Sequence, residues 1–310
     1  MHTDSHMHSH KLTPVTLALL LLPPLFWGGN AVVGRLMVGH IAPLALSFDR
    51  WFFALVCALP FTARELWRAR AVLRARAWPL LRMSFLGVAC YNSMQYVALH
   101  TTTPLNVALI SASAPVFINL IGALFHAERV GPEALVGSAL SLAGVGVVVT
   151  RGEVANLAQV HFAAGDLVML LAVLCWGFYT WDLRRHPLGL KPLPSLAAQM
   201  ALGTLMIAPF AAFERWGLGD APPWVPSVAL AVAYVAVLAS LLAYVCWGAA
   251  VARTGAQIPS YFANLMPLFV AVLQWLFLHQ GIRLFHVAGG ALIFAGIHVS
   301  LRARTRAVGT

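Results

Sequence analysis

The chain has 310 residues, of which 60% are hydrophobic and only 10% charged, and its mean hydropathy is +0.81. That composition excludes an ordinary soluble globular domain and points to a polytopic membrane protein. A formal net charge of +10 would suggest nucleic acid in a soluble chain. Here topology and anionic lipid headgroups account for it, and no nucleic-acid partner is expected.

A helix needs about 20 apolar residues to cross the hydrocarbon core. Runs of that kind predict ten spans, at 14–38, 43–63, 79–100, 103–126, 131–150, 165–183, 193–213, 226–250, 255–278 and 284–302. Residues 1–13 read as a disordered cytoplasmic tail whose His2, His6, His8 and His10 could hold a soft metal, but no metal site or cofactor is expected within the bundle. The first span carries Trp27 and Asn30 well inside its apolar run and lacks a small-residue cleavage site, so it reads as a span rather than a secretory leader. In the second span Asp49 and Arg50 are adjacent and could form a gate or coupling site, but neighbours on a helix diverge, and an interfacial structural role is expected for the pair. The loop 64–76 carries Arg64, Arg68, Arg70, Arg74 and Arg76, a solvated topological anchor.

Polar residues inside a span are costly, so they mark a bundle interior or a wet cavity. The third span carries Asn92, Ser93, Gln95 and Tyr96 near mid-depth; the fourth carries Ser111 and Ser113 just before Pro115. The sixth adds Trp176, Tyr179 and Trp181, flanked by Asp166 and Asp182, and the eighth adds Tyr244 and Trp247. The ninth carries Ser260, Tyr261 and Asn264 just before Pro267. Proline bends a helix and frees a backbone carbonyl one turn earlier, so Pro115 and Pro267 read as hinge positions beside polar clusters. The expected binding set is therefore Trp27, Asn30, Asn92, Gln95, Tyr96 and Ser111 from the first half. The second half contributes Trp176, Tyr179, Tyr244, Ser260 and Asn264.

These two halves repeat one another. Trp27-Gly28 returns 149 residues later as Trp176-Gly177, with Pro43 and Pro60 matched by Pro192 and Pro209. Farther along the offset is 152, pairing Pro115 with Pro267, Asn92 with Tyr244, Gly137 with Gly289 and Gly144 with Gly296. A repeat of this length implies a duplicated unit: 14–150 and 165–302, joined by a 151–164 loop and followed by a 303–310 cytoplasmic tail. Five spans per half would insert the second unit upside down, as in secondary transporters that alternate access. Fourteen Lys and Arg fall on the side of both termini and three on the other, so both termini are expected in the cytoplasm. The four cysteines sit in separate apolar spans without C-x-x-C spacing and read as packing residues.

Trp27-Gly28, Pro115, Ala127-Glu128-Arg129, Gly137 and Gly144 together resemble the drug/metabolite transporter superfamily, in particular its ten-span EamA-type branch. The likeness covers residues 14–302, with one departure: Gln280 stands where the repeat would duplicate Glu128. It implies an all-α membrane protein with two inverted five-helix repeats around a central cavity, in a bacterial inner membrane, as a monomer or weak dimer. The branch includes amino-acid exporters, so the resemblance implies a small-molecule substrate, with neutral and aromatic amino acids the leading class. No span carries a central carboxylate, which argues against proton-coupled cation exchange and for a facilitative carrier; an exporter of lipophilic drugs or organic cations, proton-coupled or not, stays the alternative. No nucleophile–base set or H-E-x-x-H is legible, so an enzyme is not expected.

Overall fold

The computed structural model describes residues 13–102, 107, 110–128, 131–150, 152–153, 164–219, 224–278 and 283–307. The N-terminal histidines, Arg129, most of the 151–164 loop and Gln280 lie outside the described residues. Every described element is helical, and no strand occurs among the described residues.

Prolines begin the helices. Helix α1 (Pro14–Leu36) and α2 (Pro43–Arg68) both have proline in the first turn, where the missing N–H costs nothing. Thr13 caps α1, its hydroxyl accepting the Thr16 amide at 3.2 Å. The expected loop after residue 63 is instead helical. Here α2 runs on to Arg68 and a short α3 (Arg70–Ala75) follows, because Arg, Glu, Leu and Ala favour helix whatever their exposure.

The third predicted span is α4 (Ala77–Met83), a π-helical turn (Ser84–Cys90) and α5 (Tyr91–Thr101). The fourth is broken at Ser113, beyond which α6 (Ala114–His126) begins with Pro115 in its first turn. Then come α7 (Pro132–Val149), α8 (Ala164–Arg185) and α9 (Pro192–Ala212). A π-helical turn (Phe213–Gly217) follows α9, and α10 (Pro226–Tyr234) passes through a third π-helical stretch (Val235–Leu242) into α11 (Ala243–Thr254). The ninth predicted span is broken at Asn264 and Leu265, between α12 (Gln257–Ala263) and α13 (Met266–Leu278); α14 (Leu284–Ala307) is last.

Five of these runs are long and apolar enough to cross a membrane: 14–36, 43–68, 164–185, 192–217 and 226–254. The burial pattern is that of a chain solvated by lipid. Large apolar side chains such as Phe61, Leu205, Leu230 and Leu284 are exposed, whereas Asn30, Arg50, Asn92 and Gln199 are buried.

Two antiparallel contacts frame the interior. Segment 77–101 lies along α8, tied at one end by Thr102 to Asp166 and at the other by Arg82 to Asp182. Helices α7 and α14 touch backbone to backbone: a Cβ at Gly137 would come within 2.6 Å of Gly296 O, and one at Gly144 within 2.6 Å of Gly289 O. Only glycine allows so close an approach.

Candidate functional site

The site is built around Arg50. About two turns into α2, its side chain is completely buried. Its Nε donates to Ser240 Oγ at 2.6 Å, and its Nη1 to Asn92 Oδ1 at 2.8 Å, the Tyr96 hydroxyl at 2.9 Å and Asn30 Oδ1 at 3.4 Å. Nη2 donates to Ala239 O at 3.2 Å. The partners are neutral oxygens, so the dipoles solvate the charge without cancelling it. Trp51 adds a ring face 5.0 Å from the guanidinium carbon.

The π-helical turns supply part of this network. Such turns shift the helical hydrogen-bond ladder and recur at functional positions. Ala239 O, in the Val235–Leu242 stretch, accepts from Trp27 Nε1 at 3.0 Å as well as from Arg50. Gly87 O, in the first and 152 residues earlier, accepts from the Tyr244 hydroxyl at 3.0 Å. Tyr244 in turn accepts from Asn92 Nδ2 at 2.7 Å.

Beside this network is a small cavity of about 50 Å³. That is room for a few water molecules, so a larger solute requires the helices to part. Of the expected set, Trp27, Asn30, Asn92 and Gln95 line it from one half of the chain, and Ser111 joins them. Trp176, Asn264 and Pro267 line it from the second half. Both helix breaks open onto it, through Ala112 and Ala114 on one side and Met266 on the other.

The remaining expected residues stand behind the wall. Tyr96 and Tyr244 hold Asn30 and Asn92. Tyr179 is buried against Trp176, with ring centroids 5.1 Å apart, over the face left open by Gly87. Ser260 spends its hydroxyl on Gln257 O at 2.6 Å, a local helix contact. Pro115 is buried at the head of α6.

The rings form one connected cluster. Trp27 meets Trp176 edge-on with centroids 5.3 Å apart, Trp247 lies 5.3 Å and 5.1 Å from the two, and Tyr91 lies 4.8 Å from Trp176. Tyr91, Trp247 and Arg50 were not among the expected residues. The signal for Arg50 was its position: an ionisable group inside a span marks a functional site by default. Adjacency to Asp49 obscured this, and it is Arg50 alone that departs from the structural role expected of the pair. Asp49 turns to Arg215, while Arg50, about 100° round the helix, turns inward.

Ion pairs close both ends of the bundle. At one end Arg215 pairs with Asp49, and Glu214 accepts the Ala45 amide of α2's first turn at 2.8 Å. At the other end Arg82 pairs with Asp182, and Arg185 with Glu128 at 2.7 Å. Among the described residues no group of three or more His, Cys, Asp or Glu could hold a metal ion.

Helices exposing apolar side chains outward, with polar groups converging on a cavity at helix breaks, define a membrane carrier. The chain belongs to the EamA-like transporter family, which matches residues 15–150 and again 163–302. It is 27% identical over 288 residues to an uncharacterized transporter of Archaeoglobus fulgidus, covering 92% of this chain and 96% of that one. A Streptantibioticus cattleyicolor protein named "Probable terminal-alkyne amino-acid exporter" is 27% identical, with 93% of each chain covered. A Salmonella typhimurium protein named "Probable amino-acid metabolite efflux pump" is 25% identical, covering 91% of this chain and 93% of that one. One solved crystal structure superposes with a TM-score of 0.74 at 22% identity, covering 94% of this chain and 98% of the other; at that identity it speaks for the fold alone.

Proposed function

We propose that this transporter exports small metabolites from the cytoplasm, neutral and aromatic amino acids foremost, by facilitative alternating access through two inverted five-helix repeats with ten spans. The observation that carries the reading is the cavity itself. Asn30, Asn92 and Trp27 meet Trp176 and Asn264 from the other half of the chain at two helix breaks, where a carrier needs donors, acceptors and an apolar wall together. Ion pairs at both ends suit an occluded state from which breaking either set opens one side. The family's matching in two segments and the reciprocal glycine contacts of α7 and α14 support the repeat.

In this reading the face bearing Glu128 and Arg185 is cytoplasmic, in a bacterial inner membrane, with both termini on that side. The substrate class rests on the aromatic wall and on the two relatives named for amino-acid export. Organic cations suit the site less well, because the formal charge beside the cavity is the positive one of Arg50. The test is efflux from proteoliposomes loaded with labelled amino acids, with and without a pH gradient. Saturable efflux of at least one aromatic amino acid, persisting without the gradient, is expected; no efflux of any amino acid sinks the proposal.

A further inference from the structure

We infer that the cavity grips its substrate by a carboxylate and does not recognise the amine, so the transported class is apolar and aromatic carboxylic acids, amino acids among them. This rests on the export reading and narrows it.

None of the residues lining the cavity is acidic. The buried carboxylates Asp49, Asp166 and Asp182 bond to Arg215, Thr102 and Arg82. The formal charge close by is Arg50, directly behind Asn30 and Asn92.

Arg50 also orients the amides. A guanidinium can only donate, so the Oδ1 atoms of Asn30 and Asn92 must face it. Their Nδ2 donors are thereby turned away from the charge, that of Asn92 to Tyr244. Asn264, on the opposite wall, is 2% exposed, and its Nδ2 is buried without a partner. A buried donor left unpaired is costly unless an incoming acceptor satisfies it.

A carboxylate entering here therefore meets the Asn264 donor and the Arg50 field. An ammonium meets no carboxylate among the lining residues.

The test is direct binding to the purified full-length chain at pH 7, using labelled L-phenylalanine, 3-phenylpropionate and phenethylamine. The expected result is similar affinity for the amino acid and the acid, with the amine weaker by about tenfold or more, or about 1.4 kcal/mol. Asn264→Asp should weaken the acid at least about tenfold without weakening the amine, and Asn264→Leu, which removes only the donor, should weaken the acid severalfold. The inference falls if the amine binds as tightly as the acid, if the acid binds tenfold more weakly than the amino acid, if none of the three binds, or if both folded variants keep wild-type acid affinity. Phenylalanine efflux with equal binding of amine and acid would leave the exporter standing and remove carboxylate recognition. Acid-selective binding without efflux would do the reverse.

Discussion

Asn92 Nδ2 donates to the Tyr244 hydroxyl at 2.7 Å, and the two residues are 152 positions apart, the spacing that also relates Pro115 to Pro267. If the proposed repeat holds, residues at one position of the two units bond to each other, as happens where a pseudo-twofold axis passes through the contact. Asn92 faces Arg50 with its oxygen and Tyr244 with its nitrogen, joining α2, α5 and α11. Parting the two halves would break this bond.

Arg50→Lys should impair both folding and flux. An ammonium has three donors on a flexible stem and cannot serve five acceptors held in a plane. Losing two charged hydrogen bonds at about 1.5 kcal/mol each destabilises the fold by roughly 3 kcal/mol. Thermal unfolding in detergent should show a clear drop, with efflux reduced at least about tenfold in the protein that folds. Unchanged melting and flux would remove Arg50 from the centre of the site.

Pro115→Ala and Pro267→Ala should slow transport more than they lower folded yield. Each substitution restores an amide at the head of α6 or α13 and favours a continuous helix, erasing the break that faces the cavity. Initial efflux rates compared with monodisperse yield decide this, and normal rates in both variants would leave the prolines with packing alone.

Asp49→Asn should retain substantial flux with the proton gradient collapsed. Asp49 sits at the end of the bundle, clamped to Arg215, and not at the cavity. Weakening that clamp favours opening of the same end, so a cysteine at Ser111 in a cysteine-free background should react faster with an impermeant thiol reagent from that side. Loss of flux both in the variant and on collapsing the gradient would make Asp49 a coupling group.

Gly137→Leu should sharply reduce the monodisperse fraction in size-exclusion profiles. Its Cβ would lie 2.6 Å from Gly296 O, a backbone atom that cannot rotate away. Overpacking a fixed contact costs about 1–3 kcal/mol or more. A variant with normal yield and melting would mean that α7 and α14 separate easily.

Impermeant labelling of a cysteine placed at Arg70, on the exposed α3, should occur from the cytoplasmic side. Labelling from outside would invert the whole orientation.

Several features were legible in the residues alone. Runs of about 20 apolar residues require helices, because lipid offers no partner for a bare backbone. Pro115 and Pro267 fall within two or three residues of the breaks at Ser113 and at Asn264 and Leu265, whereas Pro23, Pro24, Pro60 and Pro209 lie inside unbroken helices, because a neighbouring packed helix can hold a proline-containing one together. Polar residues in those runs pointed to the interior, which is why Asn30, Asn92, Ser111 and Asn264 reach one cavity.

What only the tertiary structure decided is which groups face the cavity and which support it. Tyr96, Tyr179 and Tyr244 carry the same chemistry in the sequence as the lining residues, yet stand behind them, because helix rotation sets which side a ring faces. Arg50 could not be interpreted from its neighbours. A buried guanidinium is tolerable only when enough acceptors converge on it, and here they come from α1, α5 and the Val235–Leu242 π-helical turn, up to 190 residues away. Convergence of that kind is a property of packing, and no local pattern encodes it.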